Sequence, residues 1–349
     1  MKGRKKMLIA VAIILIIVLS KAFSFTPPIK DGIAEIRRIE INGTKQSLLI
    51  RGEDTKNPVL LYLHSGPGTT EMIPFRLAQS GLETHFTVVI WEQRGTGKSF
   101  SSNLSNDDMS IDQLMSDAIE VTRYLQKEFG KEKILVVGHS WGTALGLLLV
   151  QKYPEYFYAY VGSGQEVCPA LGEPLGYQYA LNAMQGNDKA ITELESLNSP
   201  EPYLSMSADD WFTKLITQRK WLVRAGGEFY GQSNNAQFFN AKTILAPEYT
   251  WLDYIQFAKG SSFSLKAMWP EVMALDFRQQ IPELEVPVFF LQGRNDYNTP
   301  ASLVAEYFET LSAPSKELIW FESSGHHPMY EEPDLYYQVI IEKVLPLCK

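Results

Sequence analysis

The chain has 349 residues, 45% of them hydrophobic and 21% charged, which is ample material for one large core and excludes a disordered polymer. Its net charge of −8 makes an acidic globule, a poor partner for a nucleic-acid backbone. Only two cysteines occur, Cys168 and the nearly terminal Cys348, so no disulfide framework can be read; no metal-ligand spacing appears, and neither metal nor cofactor is expected.

The N-terminus reads as a membrane-targeting segment. Lys2, Arg4, Lys5 and Lys6 precede an unbroken apolar run over residues 7–19, followed by Ser20, Lys21 and Ala22. Residues 1–25 therefore fit a secretory signal peptide or an uncleaved signal anchor, since the run has no polar face and so does not suit a core helix. The basic flank predicts a cytoplasmic N-terminus and an extracytoplasmic catalytic domain, membrane-anchored or, after cleavage, secreted.

Past Pro27-Pro28, residues 34–42 and 46–51 read as two strands joined by an Asn42-Gly43 turn, an antiparallel hairpin. Short apolar runs at 59–63, 87–91, 134–137, 158–162, 288–291 and 317–321 have the composition of strands buried on both faces. Helical patterns separate most of them. The clearest covers 110–129, with Ser110 as cap and Gly130 as stop; 143–152, 301–311 and 334–345 are others. Strands alternating with helices imply a mostly parallel sheet. Residues 165–282 break the rhythm: they lack strand runs and are rich in aromatics, including Trp211, Trp221, Trp251 and Trp269, which predicts a helical cap inserted between core segments 33–164 and 283–349.

The strand at 134–137 runs into Gly138-His139-Ser140-Trp141-Gly142 and then a helix. A serine on a sharp strand-to-helix turn, with glycines two positions either side, is the arrangement of an exposed nucleophile. Such a nucleophile requires an acid and then a histidine later in the chain. Asp296 lies in the loop after the strand at 288–291, where ligands of open α/β sheets gather, and His326-His327 lies in the loop after the last strand. His326, next to Gly325, is the expected base, because His327 is restricted by Pro328. Early in the chain, His64-Ser65-Gly66-Pro67-Gly68 follows a strand, so the Gly66 N–H, joined by that of Trp141, is positioned to receive an oxyanion.

Taken together, His64-Ser65-Gly66-Pro67-Gly68, Trp91-Glu92-Gln93-Arg94-Gly95, Gly138-His139-Ser140-Trp141-Gly142, Gly293-Arg294-Asn295-Asp296 and Gly325-His326 resemble the α/β-hydrolase family that contains the proline iminopeptidases, over roughly residues 35–345. The resemblance implies an α/β-hydrolase fold, a Ser140–His326–Asp296 triad, and acyl transfer from the N-terminal residue, such as proline, of a small peptide. It also implies cap carboxylates that hold the substrate's free amine, with Glu166 and Glu228 as the candidates, and makes Arg94 an organiser of loops. Ser65 and His139 stand where these peptidases have glycine, and His139 matches many esterases, so an esterase or amidase acting on small esters or amides is the alternative. A membrane-tethered, non-catalytic binding protein is a third reading, against which the joint presence of Ser140, Asp296 and His326 weighs.

Overall fold

The computed structural model describes residues 21–197, 206–232 and 240–349. The targeting run over residues 7–19 lies outside the described residues. Among the described residues no helix is long and apolar enough to cross a membrane.

A two-residue turn sets the start of the sheet. Asn42 and Gly43 both adopt left-handed backbone, φ 46° and 76°, as a type I′ turn demands. It pairs β1 (Ile33–Ile41) with β2 (Thr44–Gly52) in antiparallel register, Ile41 opposite Thr44. There follow β3 (Val59–Leu63), α1 (Met72–Ala78), β4 (Thr87–Glu92), α2 (Ile111–Phe129), β5 (Ile134–His139), α3 (Trp141–Lys152) and β6 (Phe157–Ser163). Between β6 and the next strand the described chain is helical: α4 (Pro169–Ala183), α5 (Asp188–Glu195), α6 (Ala208–Arg224), α7 (Ala241–Leu245), α8 (Trp251–Met273) and α9 (Phe277–Gln280). Then come β7 (Val288–Gly293), α10 (Ala301–Thr310), β8 (Lys316–Phe321), α11 (Pro328–Glu331) and α12 (Pro333–Val339).

The eight strands form one sheet in the order β1-β2-β4-β3-β5-β6-β7-β8, parallel from β4 onward. Alternating side chains of each central strand enter two separate cores. Val59, Leu61 and Leu63 of β3 join Ile134 and Val136 of β5 on one face, with α2, α3 and α10; Leu60 and Tyr62 join Leu135 and Val137 on the other, with α1 and α12. Continuous apolar runs are required because both faces are covered.

Helix α2 begins where Ser110 accepts a hydrogen bond from the Gln113 N–H and ends where Gly130 turns left-handed at φ 61°. One expectation needs correction. The helix anticipated over 334–345 is α-helical only to Val339; Ile340–Val344 widens into a π turn and Leu345–Leu347 tightens into a 3₁₀ turn. Pro346, lacking an amide hydrogen, cannot extend a regular ladder, and Ile340 and Val344 both stay in the second core through the change. Cys168 and Cys348 are both buried and unbridged.

Ser110→Ala removes the α2 cap without touching the cavity. The expected outcome is a loss of about 1 kcal/mol in urea denaturation at unchanged m-value, with catalytic constants unaltered.

Candidate active site

Ser140 is the only residue between β5 and α3, so the whole reversal falls on its backbone, at φ 53° and ψ −121°. A non-glycine residue held there costs about 1–3 kcal/mol and persists only if its surroundings fix it. They do: the Ser140 N–H donates to Ser163 O at 3.0 Å, and the Thr143 hydroxyl donates to Ser140 O at 2.6 Å. A Cβ on Gly138 would lie 2.4 Å from Gly142 O, and one on Gly142 would lie 2.0 Å from Leu63 O, so both flanking glycines are demanded by close backbone approach.

His326, after β8, has Nδ1 2.9 Å from Asp296 Oδ2. Asp296 also accepts from Gln292 Nε2 and the Thr299 hydroxyl, each at 2.8 Å, and from the backbone N–H groups of Asn298 and Thr299 at 2.9 Å. Burial alone would raise its pKa; the His326 charge and these donors more than offset that, and the carboxyl is held below its ordinary range. An ionised acceptor on Nδ1 assigns the ring proton there and leaves the lone pair on Nε2. That nitrogen is buried without a hydrogen-bond partner, and His326 and Ser140 line one cavity of about 660 Å³.

Beneath the pair lies a second buried histidine. His139 Nδ1 is 2.8 Å from Glu71 Oε1 and its Nε2 is 3.0 Å from the backbone carbonyl of His326. Both partners can only accept, so both ring nitrogens carry protons and His139 is an imidazolium. Burial opposes that charge, yet the attraction and hydrogen bond of Glu71 prevail and raise its pKa; reciprocally, Glu71 is brought down to about 2 despite burial. The remaining capacity of Glu71 is filled by the Ser65 N–H at 2.8 Å and the hydroxyls of Tyr62 and Tyr330 at 3.0 and 3.1 Å. Glu71, His139 and His327 offer ligand atoms within 4.8 Å of one another, but with four donors on the carboxylate and two protons on His139 this cluster is a hydrogen-bond network, not a cation site. His327 stacks on Phe229 with centroids 4.3 Å apart, and burial drives its pKa well below the ordinary value.

Gly66 and Trp141 also meet at Ser140. The three line a smaller cavity of about 120 Å³ together with Glu166, Glu173 and Arg219. Trp141 occupies the first position of α3, where an N–H has no acceptor within the helix. Its indole donates to Gln93 Oε1 at 2.9 Å, and the Gln93 N–H donates to His64 Nε2 at 3.1 Å, which ties the motif loops together. Arg94 reaches away from the cavity to a buried two-pronged pair with Asp117, at 2.8 and 2.9 Å.

The two cap carboxylates singled out from sequence stand on different cavities. Glu166 lines the smaller one; burial, then the neighbouring charge of Glu173, raises it to about 8. Glu228 lines the larger one, 3.3 Å from His327 Nε2, and burial raises its pKa too. Its backbone carbonyl accepts the His326 N–H at 2.7 Å. Sequence reading missed Glu71, Thr299, Glu173 and Arg219, of which the last two form an ion pair on the wall of the smaller cavity. Glu71, three residues beyond the His64–Gly68 loop, offered only its proximity to that motif.

A serine on a strand-to-helix elbow, an Asp-bound histidine and two N–H groups at the carboxyl edge of a parallel sheet define the hydrolase class of α/β proteins. The chain belongs to the alpha/beta hydrolase fold family, whose model matches residues 58–333. It is 34% identical over 309 residues to a probable aminopeptidase of Bacillus subtilis (strain 168), covering 88% of this chain and 96% of the relative. A proline iminopeptidase of Heyndrickxia coagulans is 23% identical, over 86% of this chain and 96% of its own. Among solved structures, a proline iminopeptidase of Mycobacterium smegmatis superposes with a TM-score of 0.62 at 15% identity, covering 90% of this chain and 99% of the other.

Removing one partner of the buried Glu71–His139 pair should cost about 3–5 kcal/mol. In Glu71→Gln the burial of His139 is opposed only by the His326 carbonyl and the charge of Asp296, so its pKa falls from the wild-type value in a ring-carbon NMR titration; an unchanged titration in the variant would contradict the assignment. In the wild type the His139 contribution is complete below 6.5 and lost as pH rises through its raised folded value. The Glu71 contribution is complete above 4.5 and lost as pH falls toward about 2.

Proposed function

We propose that the protein is a serine aminopeptidase that releases the N-terminal residue of small peptides, proline among them, through an acyl-enzyme. The observation that carries this reading is the His326 ring: Nδ1 held by Asp296, Nε2 buried and unpartnered beside the cavity of Ser140. His326 Nε2 takes the Ser140 proton as the oxygen attacks the substrate carbonyl, and Asp296 fixes the tautomer and stabilises the imidazolium. The oxyanion forms at the N–H groups of Gly66 and Trp141. Collapse expels the leaving amine with the proton from His326, and water repeats the sequence on the acyl-enzyme to free Ser140.

Support for an amine at the acyl end comes from the smaller cavity. Its size admits one compact residue, and beside the Glu173–Arg219 ion pair it presents Glu166, a carboxyl that takes on charge as pH rises toward about 8. A substrate ammonium placed there would meet a carboxyl that burial holds largely protonated near neutrality. The larger cavity, with Ile73, Ile216 and Val223 on its wall, then takes the rest of the peptide. The names of the relatives agree with this reading. An ester or amide hydrolase is the second reading, favoured by the apolar wall of the larger cavity, which does not require a charged amine.

Ser140→Ala should lower kcat at least about a thousandfold while leaving the fold intact, and should abolish fluorophosphonate labelling. Continued labelling at another serine would remove Ser140 from the mechanism.

Acetylating the amine of an aminoacyl substrate should abolish cleavage; equal turnover of free and acetylated forms leaves the esterase or amidase reading. Because Glu166 ionises only near pH 8, KM for a free-amine substrate should fall as pH rises from about 6 toward 8, until the substrate amine itself loses its proton at about 7.7–8.0. Glu166→Gln should raise KM and flatten that dependence. A profile unchanged by the substitution would place the amine elsewhere.

A further inference from the structure

The described chain enters the fold through a lysine that has no surface role. Lys21 is buried, its ammonium donating to the carbonyls of Ala246 and Tyr249 and lying 5.8 and 5.2 Å from the ring centroids of Trp251 and Tyr254. Four residues on, the Phe25 N–H donates to Pro247 O at 3.1 Å. Residues 21–25 are thereby fastened to the loop between α7 and α8.

Around that entry point the surface is apolar. Phe23 is 82% exposed and Phe25 55%; beside them Leu245 at the end of α7 is 55% exposed, and Leu252 and Ile255 in the first turns of α8 are 61% and 53% exposed. Charge on the same elements is one-sided. Between residues 241 and 260 the exposed charged side chains are Lys242 and Lys259, while Glu248 and Asp253 are buried against Arg76 and Lys98. On a chain of net charge −8, this face is apolar with a basic fringe. It also walls the catalytic cavity, since Thr243, Ile244, Tyr254 and Phe257 line it along with Ser140 and His326.

We infer that this face rests on the surface of an anionic phospholipid bilayer, with α7 and the first turns of α8 at headgroup depth and their side of the cavity turned toward lipid. Two observations select the bilayer as occupant. Phe23 lies four residues past Leu19, at most about 14 Å along an extended chain, so a bilayer holding residues 7–19 holds the aromatic side chains of 23 and 25 at its interface, where such rings collect. The exposed charges complement anionic headgroups, whereas a second copy would bring Lys242 and Lys259 against like charges of the same face.

The test uses the full chain in vesicles of phosphatidylcholine and phosphatidylglycerol, with a fluorophore on Leu252→Cys or, should that variant fold poorly, on Leu245→Cys. The native cysteines are buried and the control label sits at Glu155→Cys, in the exposed turn before β6. Phospholipids brominated in their acyl chains should quench the label at 252 several-fold more than the label at 155, and aqueous iodide should show the reverse order. Equal iodide quenching at both positions overturns the inference. So does a label at 252 that neither quencher reaches, because protein, either a second copy or residues 7–19 of the same chain, then covers the face. No turnover enters the measurement, so its result stands apart from the fate of the aminopeptidase reading.

Discussion

A carboxylate and an imidazolium buried together, Glu71 and His139, hold the floor of the site. Neither charge reaches water, and each is stable only because the other is present: burial acts against both, and the mutual attraction reverses it. The pair sits where four separately folded pieces converge. Glu71 holds the loop after β3 through the Ser65 N–H and holds α11 through the Tyr330 hydroxyl, while His139 closes β5 next to Ser140 and grips the His326 carbonyl. The turn at Ser140, the loop carrying Gly66 and the segment carrying His326 are therefore registered against one carboxylate.

His326 itself is fixed at three points. Asp296 holds the ring, His139 holds the backbone oxygen, and the backbone carbonyl of Glu228 holds the N–H. The first two belong to the core, and the third belongs to the segment between β6 and β7 that also supplies cavity walls. Displacement of that segment alters the hydrogen bonding of His326 directly. The wall of the larger cavity and the position of His326 therefore share an atom-level link.

How much of this was legible follows from how far apart the cooperating residues lie. The Asn42-Gly43 hairpin, the Ser110 and Gly130 ends of α2 and the elbow around Ser140 are encoded within a few neighbouring positions, and local patterns revealed them. Asp296 and His326 were reachable because their chain order and their place after strands are constrained by the sheet. The Glu71 network was not, because it assembles residues 62, 65, 71, 139, 326 and 330, brought together only by strand order β4-β3-β5 and by packing of α11. His139 was read as a departure from a glycine pattern; in the folded chain it is a structural cation whose partner is 68 positions earlier. The wide turn after Val339 left no periodic trace, since the buried positions 336, 339, 340 and 344 suit a regular helix equally well.

Three backbone segments pass one another around Gly325 with no space for a side chain. A Cβ on Gly293 would stand 1.8 Å from Gly325 O, and one on Gly325 would stand 2.5 Å from Glu228 O. For anyone reshaping the specificity of this scaffold, that crossing divides the molecule into regions with opposite tolerance. Cavity-facing positions on α6 and α7 other than Arg219, whose partner Glu173 is buried, can be randomised, because only side chains change there. A library that inserts or deletes residues between Gly226 and Gly231, or in the turn after β8, shifts backbone against backbone and displaces His326 along with the cavity wall it meant to alter.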